Sequence, residues 1–517
     1  MKNAVETTSY WTGSAAMPRH PVLDRKIDVD VVVVGAGITG LTAAYLLKRA
    51  GRRVAVLERR RIGGVDTMST TAHVTCVTDL DLSELVSSFG RDHAQAVWDA
   101  GLAAIAQIDA IVRDERIDCG WKFIDGVKHA PAGQTSERQT KHLQEEAALA
   151  HELGFDATYM DTTPFVGLPG VVFGGQARIH PAKYLAALSA LVDGDGSFVF
   201  EETACDEVVA EPLSVKARGY DISCEYVVLA THTPLIGKTN IASATLLQTK
   251  LYLYTSYVVG GRVAKGTVPD MLFWDTASPY HYMRLDDCGD HDFVIFGGND
   301  HKTGQAEDTV RCFERLEAAA RRAVPSLAIT HRWSGQVIET NDGLPFIGES
   351  SSHQFAGTGY AGNGMTFGTL AGMMADDACM GRKNPWQELF DPGRTKVRGG
   401  AWDYLKENVD YPYYMIRDRI VGPEGTSLRA LQPGEGKVLD VDGERVAASR
   451  GTNGRVTMVS PVCTHMGCMV EWNRAEKTWD CPCHGSRFLP DGQVLAGPAE
   501  TPLEPHAPAR DRRQTTG

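Results

Sequence analysis

The apolar positions of this chain fall into runs, alternations and helical stripes that change in character along its length. Val31 to Val34 are four consecutive valines, which predicts a strand buried on both faces, as in a parallel sheet. From Ile38 to Ala50 the apolar Leu41, Ala44 and Leu47 share one helical face, and Gly51 is placed to end the helix. Arg53 to Leu57 reads as a second strand. Asp79 to Asp118 and Ser136 to Leu153, rich in Ala, Leu, Glu and Gln, predict helices. Gln176 to Leu188 reads as a short strand, then a helix with Pro181 in its first turn. Cys224 to Ala230 is another buried strand. Leu246 to Gly260 and Met271 to Gly297 alternate aromatic and aliphatic residues, which predicts an antiparallel sheet separate from the first. Arg311 to Ala323 is helical, and a further helix starts near Met365. From Val421 to Pro508 the texture becomes short strands and turns, typical of a small all-β module.

These changes set the expected domains. Residues 1–27 read as an irregular arm, and 28–382 as an α/β domain with a sheet-bearing subdomain at about 241–332. The stretch 383–420, rich in charge, Pro and Gly, reads as a linker, and 421–510 as the β module. A chain of 517 residues needs more than one domain. Its formal net charge of −13 argues against a nucleic-acid surface and against a polybasic membrane patch. No apolar run reaches the length of a membrane span, so an integral membrane protein is not expected. The polar N-terminus lacks the apolar core of a secretory signal, which leaves the cytoplasm as the default compartment. Of eleven cysteines, seven are scattered singly from Cys76 to Cys379, and Cys463, Cys468, Cys481 and Cys483 crowd into one stretch. That distribution fits a metal site better than a secreted disulfide framework.

The first strand runs directly into Gly35-Ala36-Gly37-Ile38-Thr39-Gly40. Gly35 suits a tight turn, Gly37 lets a pyrophosphate approach the backbone, and Gly40 lets the helix pack on the strand. The helix N-terminus then offers free N–H groups to phosphate. Glu58, 23 positions after Gly35, ends the second strand where a carboxylate can accept from ribose hydroxyls. Strand, glycine turn, helix and acid together make a strong dinucleotide signature. The hydroxyl-rich Thr67 to His73 suits a loop around a cofactor. Four glycines at Gly357, Gly359, Gly362 and Gly364 precede the helix near Met365, a second place where N–H groups face an anion or a polarised carbonyl. No second dinucleotide fingerprint occurs, which argues against direct NAD(P)H use.

The order of these parts resembles the FAD-dependent oxidoreductases of the D-amino-acid oxidase and sarcosine oxidase type. It covers about Asp28 to Gly381 through G-A-G-I-T-G with Glu58, I-H-P-A-K-Y-L, V-V-L-A-T-H-T-P, R-W-S-G-Q, D-G-L-P-F-I-G and F-A-G-T-G-Y-A-G-N-G-M-T. The resemblance implies FAD, with Gly35, Gly37, Ile38, Thr39, Gly40, Glu58 and Arg59 at its ADP end. It implies Thr70, Thr71 and Ala72 near the pyrophosphate or ring, and Val208, Ala230 and Thr231 elsewhere along the cofactor. Gly359, Asn363, Gly364, Met365 and Thr366 would lie at the isoalloxazine end. Sarcosine-type relatives attach flavin through a cysteine shortly before D-G-L-P. Residues 335–341 contain none, and His73 is not at the position other relatives use, so FAD is expected to be non-covalent. By the same resemblance Arg284 is the candidate for pairing with a substrate carboxylate. Tyr252, Tyr254 and Trp274 are candidates for the pocket wall, and His301-Lys302 for the flavin's neighbourhood.

Near the C-terminus, Cys463-Thr464-His465 and Cys481-Pro482-Cys483-His484 form C-x-H-x15-C-x-x-H. This looks like a Rieske [2Fe–2S] domain, in which two thiolates bind one iron and two imidazoles the other. The resemblance assigns Cys463 and Cys481 as thiolate ligands and His465 and His484 as imidazole ligands. It implies a disulfide between Cys468 and Cys483, a covering proline loop at Gly497-Pro498-Ala499, and a hydrogen bond from Ser486 to a cluster sulfur. Phe488 stands where higher-potential relatives carry a tyrosine, so the potential is expected in the lower part of the Rieske span of roughly −150 to +300 mV. No compact histidine pair with a carboxylate is available for a mononuclear iron, which argues for a pure electron-transfer cluster.

The expected fold is thus a Rossmann-like α/β domain with an antiparallel-sheet substrate subdomain, plus a small all-β Rieske domain. The expected activity is oxidation of a small amine, amino acid or related substrate. Electrons would pass from FAD to the cluster and on to an external one-electron protein or quinone. One alternative is reverse flow, with the cluster reduced by an external reductase and feeding the flavin. The other is a redox-sensing interaction protein with a structural flavin.

Overall fold

In a computed structural model the described residues are 5–133, 136–233, 250–394 and 422–506. Strand Val31–Val34 pairs in parallel with Val54–Leu57 on one side and Tyr226–Leu229 on the other. Phe198–Phe200 and Gln354–Thr358 extend the sheet in parallel at its two sides, and Phe346–Ser351 closes one edge antiparallel. The four valines are apolar throughout because both faces are covered. Val31 and Val33 pack with Leu41, Ala44 and Leu47 of helix Ile38–Arg49 and with Leu370. Val32 and Val34 pack with Val208, Val215 and Ile222 of a small four-stranded sheet. The first strand lies in the middle of the sheet, so the chain leaves it toward both sides. The crevice beyond its C-terminal end is where such sheets hold ligands.

A second sheet has nine strands. Its path runs Ala328–Thr340, Leu251–Ala264, His291–Lys302, His281–Asp287, Leu272–Asp275, Lys122–His129, Gly170–Arg178 and His73–Val74, with Ala157–Met160 paired on Gly170–Arg178. The expected separate sheet is present, although residues 246–249 lie outside the described residues. The single helix expected from Asp79 to Asp118 is two, Leu82–Phe89 and Arg91–Asp114. They break at Gly90, whose φ of +88° needs a residue without a side chain.

The structure departs from expectation at both ends of the first domain. The N-terminal arm is not irregular throughout: Tyr10–Ser14 is a short helix capped by Ser9, and Trp11 is wholly buried. An indole that donates to Thr70 O at 2.6 Å from within the core gives the arm a fixed seat. The start of the expected linker is also packed, since Phe390 of helix Gln387–Phe390 is fully buried. The rest of it, 395–421, lies outside the described residues.

The chain divides into two compact units. The first is Met1–Leu251, Ser256–Asp300 and Arg315–Gly400, and the second is Tyr252–Thr255, His301–Glu314 and Ala401–Gly517. The second holds a three-stranded sheet (Gly436–Val441, Glu444–Arg450, Val456–Val459) and a four-stranded one (Glu471–Asn473, Thr478–Asp480, Arg487–Phe488, Val494–Ala496), all antiparallel. The expected boundary at 421 therefore misses two short pieces of earlier sequence that belong with the β module. Thr303 N donates to Leu253 O at 2.9 Å, and Ala475 N to Thr309 Oγ1 at 3.1 Å. Tyr252 and Tyr254, in strand Leu251–Ala264, fall in this unit.

Candidate functional site

The glycine turn behaves as its sequence implies. A β-carbon on Gly40 would sit 1.9 Å from Gly35 O, and one on Gly35 only 2.4 Å from Ala230 O. Those positions therefore admit no side chain, and Gly37 leaves its outer side bare, with Thr67 Oγ1 the nearest atom to a β-carbon at 3.1 Å. Helix Ile38–Arg49 has no acid in its first turn and no side-chain cap, which leaves its positive end for an anion. Glu58 is buried at the end of the second strand and accepts from Ala36 N at 3.0 Å and Arg60 N at 2.9 Å. It is thereby aimed at the same turn. Val208 has its side chain in the apolar core, so only its backbone is available to a cofactor.

The second glycine-rich stretch leads into helix Gly364–Cys379, again without an acid or side-chain cap at its start. Asn363 donates to Val77 O at 2.8 Å, and Thr366 to Thr75 O at 2.8 Å, which pins this helix start beside the strand-like stretch after His73. Gly372 packs on Thr42, and Tyr360 OH meets Thr39 Oγ1 at 2.9 Å, so the two glycine-rich helix starts are neighbours. Thr70, Thr71 and Ala72 run past the same region. Ala72 takes φ of +56° while its N–H donates to Thr70 Oγ1.

Beside this second turn is a group of side chains that sequence reasoning missed. A β-carbon on Gly362 would sit 2.9 Å from Asp79 Oδ2, and Tyr280 OH donates to Asp79 Oδ1 at 3.1 Å. Next along, Ser256 Oγ donates to Asp300 Oδ1 at 2.5 Å and meets Tyr282 OH at 2.5 Å. Asp79 is exposed while its neighbours Tyr280, Tyr282 and Asp300 are half-buried, so together they line an open recess. Desolvation pushes the Asp79 carboxyl up to about 6 and that of Asp300 up to about 7. Lys128 offsets part of the shift on Asp79; on Asp300 the Asp79 charge adds to it and His281 opposes it. Lys128 is already engaged by Asp81. The signal was a Tyr-x-Tyr pair at the start of one strand, opposite a strand that carries Asn299-Asp300 near its end. It was unreadable without knowing that strands 281–287 and 291–302 pair in that register.

Arg284 does not belong to this recess, which corrects the expected carboxylate-binding role. It is 0% exposed, donates to Ile179 O at 3.1 Å, and lies 5.2 Å over the Trp11 ring. Two residues after Tyr282, Arg284 shares its face of the strand, but there the N-terminal arm covers it. Trp274 is half-buried and stacked on Phe173 at 6.2 Å.

In the second unit, Cys463, His465, Cys481 and His484 converge from two loops. The imidazole centroids are 4.9 Å apart, and burial lowers both pKa values to about 4, so both rings are neutral as ligands must be. The thiol of Cys463 is lowered to about 7, first by the hydrogen bond from Cys481, while that of Cys481 is raised well above its usual range by the same contact. Two sulfurs close enough to share one proton are a pair prepared for thiolate ligation. Ser486 also donates to Cys463 and accepts from Ala499 N at 3.1 Å. Cys468 and Cys483 are joined as a disulfide. Cys468, Cys481 and Cys483 sulfurs lie within 4.8 Å of one another, but the disulfide leaves only Cys481 among them as a ligand. Gly497 closes over the second loop, where a β-carbon would meet Gly485 O at 2.6 Å. His301, expected near the flavin, is in this unit, with its Nδ1 2.8 Å from Lys302 O.

Both sites fit cofactors. One is a side-chain-free cradle at a helix start with a facing carboxylate, and the other a donor set of two neutral imidazoles and two paired thiols. The fold and these sites define a flavoprotein oxidoreductase with an iron–sulfur module. Residues 30–378 match the family model of the FAD dependent oxidoreductases (DAO), and 426–507 that of the Rieske [2Fe-2S] domain. The chain belongs to the DAO family of FAD-dependent oxidoreductases and carries a C-terminal Rieske domain; its cofactors are FAD and a [2Fe-2S] cluster. It is 31% identical over 97% of its length to YhfW of Bacillus subtilis (strain 168), covering 98% of a protein whose name carries the words Rieske 2Fe-2S iron-sulfur protein. It is 22% identical to the gamma-glutamylputrescine oxidoreductase of Escherichia coli (strain K12), over 80% of this chain and 99% of that one. Glycine oxidase from Geobacillus kaustophilus shares the fold, with a TM-score of 0.60 at 18% identity, over 71% of this chain and 99% of that one. No helix among the described residues is long and apolar enough to cross a membrane.

Proposed function

We propose that the chain oxidises a small cationic amine and sends the electrons through its Rieske cluster to an external one-electron acceptor, a protein or a quinone. Bound FAD supplies two-electron acceptance and the cluster single-electron carriage. The observation that carries the reading is the recess wall: Asp79, Asp300, Tyr280, Tyr282 and Ser256 converge beside Gly362, and Arg284 is turned into the core. The two aspartates attract an ammonium and, when ionised, repel a carboxylate, so the wall favours an amine without an α-carboxylate. Tyr280 and Ser256 fix the Asp79 and Asp300 carboxylates by donating to one oxygen of each. In this proposal Cys463, His465, Cys481 and His484 hold the cluster. Gly35, Gly37, Glu58 and the 362–366 turn hold FAD. The cytoplasm is the proposed compartment, in keeping with buried free thiols at Cys76, Cys119 and Cys205.

The test is anaerobic mixing of holoprotein with simple alkylamines, diamines and α-amino acids. Flavin bleaching by amines, followed by a reduced-Rieske EPR signal, supports the reading. Bleaching by amino acids alone sinks the substrate class, and reduction only through an added reductase sinks the direction of flow.

A further inference from the structure

Inside the second unit, the segment His301–Glu314 is built into the second cluster loop, although it lies within the residues matched by the oxidoreductase family. A β-carbon on Gly304 would sit 2.7 Å from Pro482 N and 2.8 Å from Cys481 C. Across the same contact, a β-carbon on Gly485 would sit 2.6 Å from Leu253 Cβ and 3.2 Å from Thr303 Cβ. Two glycines therefore let the segments lie directly on each other at the loop that carries Cys481 and His484. At that place Gln305 Nε2 donates to Pro482 O at 3.0 Å. The other end of the same peptide group is the Cys483 N–H, which donates to Cys481 Sγ together with the N–H of His484.

We infer that Gln305 is a positioning residue that tunes the cluster through the Pro482–Cys483 peptide. A hydrogen bond received at a peptide carbonyl polarises the group and strengthens what its N–H donates, by about 10–30% per bond. Hydrogen bonds to ligand sulfur favour the reduced cluster, which carries more negative charge, and so raise its potential. The chain Gln305 amide, Pro482 carbonyl, Cys483 N–H, Cys481 sulfur is thus a relay from a segment outside the Rieske sequence to one iron ligand. It rests on Cys481 being a ligand, and not on the substrate reading.

The experiment is an EPR-monitored redox titration of full-length holoprotein, reduced through mediators, for wild type, Gln305→Met and Gln305→Glu. Gln305→Met keeps the length and removes the donor. It should shift the reduction equilibrium about threefold toward the oxidised cluster, or about 30 mV at about 59 mV per tenfold for one electron. Gln305→Glu sets an acceptor against the carbonyl and should shift it further the same way. Iron and sulfide content should stay full in both. A Gln305→Met midpoint equal to wild type overturns the inference. So does loss of cluster with an unshifted midpoint in the fraction that remains, since Gln305 would then only brace the loop. Wild type without iron, sulfide or a Rieske signal would instead overturn the ligand assignment itself.

Discussion

A β-carbon on Gly368 would lie 2.6 Å from Ile38 Cγ2 and 3.0 Å from Thr39 Oγ1. The helix of the second glycine-rich stretch therefore packs on the first turn of the dinucleotide helix with no side chain of its own between them. That closeness sets two uncapped helix starts side by side.

Gly368→Val should force the helices apart and loosen the FAD site. The expected outcome is a protein that retains its Rieske EPR signal but purifies with at least about tenfold less flavin per chain, a loss of about 1.4 kcal/mol in binding, read from flavin absorbance against iron content. Full flavin occupancy would show that the packing does not set the cradle.

Glu58→Gln should weaken FAD binding while the fold persists. The carboxylate holds Ala36 N and Arg60 N, and hydrogen bonds to a charged group contribute about 1.5–3 kcal/mol. Equilibrium binding of FAD to deflavinated protein, followed by fluorescence, should show at least about a tenfold rise in Kd.

Asp300 gives a pH signature with a defined sign. Its folded pKa of about 7 lies above that of an unfolded aspartate, so the folded state prefers the neutral carboxyl. The stabilising contribution is full below about pH 4, the unfolded range, and is lost as pH rises through about 7. Because the group lines a recess, the effect on stability is of order 1 kcal/mol rather than the full linkage value. Asp300→Asn should flatten the decline in Tm between about pH 4 and 7. The same variant should abolish the perturbation of the flavin spectrum by alkylammonium ligands. An unchanged perturbation would remove Asp300 from the amine site.

Arg284→Ala should cost stability without altering which substrates reduce the flavin. Truncating a fully buried cation that lies over Trp11 removes packing and a charged hydrogen bond, and such a bond contributes about 1.5–3 kcal/mol. Denaturant unfolding reads the first effect and an amine screen the second. A selective loss of carboxylate-bearing substrates would restore the role expected from sequence.

Cys468→Ser separates the disulfide from the ligands. The bridge closes residues 15 apart, which is worth about 3 kcal/mol in a chain-entropy account. The variant should bind a cluster that is lost at lower temperature, whereas Cys463→Ser should carry no Rieske signal at all. Identical behaviour of the two variants would erase the distinction between brace and ligand.

Much of this was legible in the sequence because it depends on neighbours along the chain. Four valines specify a two-faced strand, glycines at fixed offsets specify a turn that a phosphate can approach, and two Cys/His loops specify a cluster, since each motif carries its own geometry within a few residues. What the chain order could not express is which distant surfaces meet. Trp11 fills the core above Arg284 from a stretch that lacks any periodic pattern, and the arm's seat exists only because that part of the fold leaves a place for an indole. Asp79 and Asp300 become one recess through strand register and helix packing, over 221 positions of sequence. Gln305 reaches Pro482 for the same reason: the gain comes from burying two remote backbones against each other, and no local residue pattern records it.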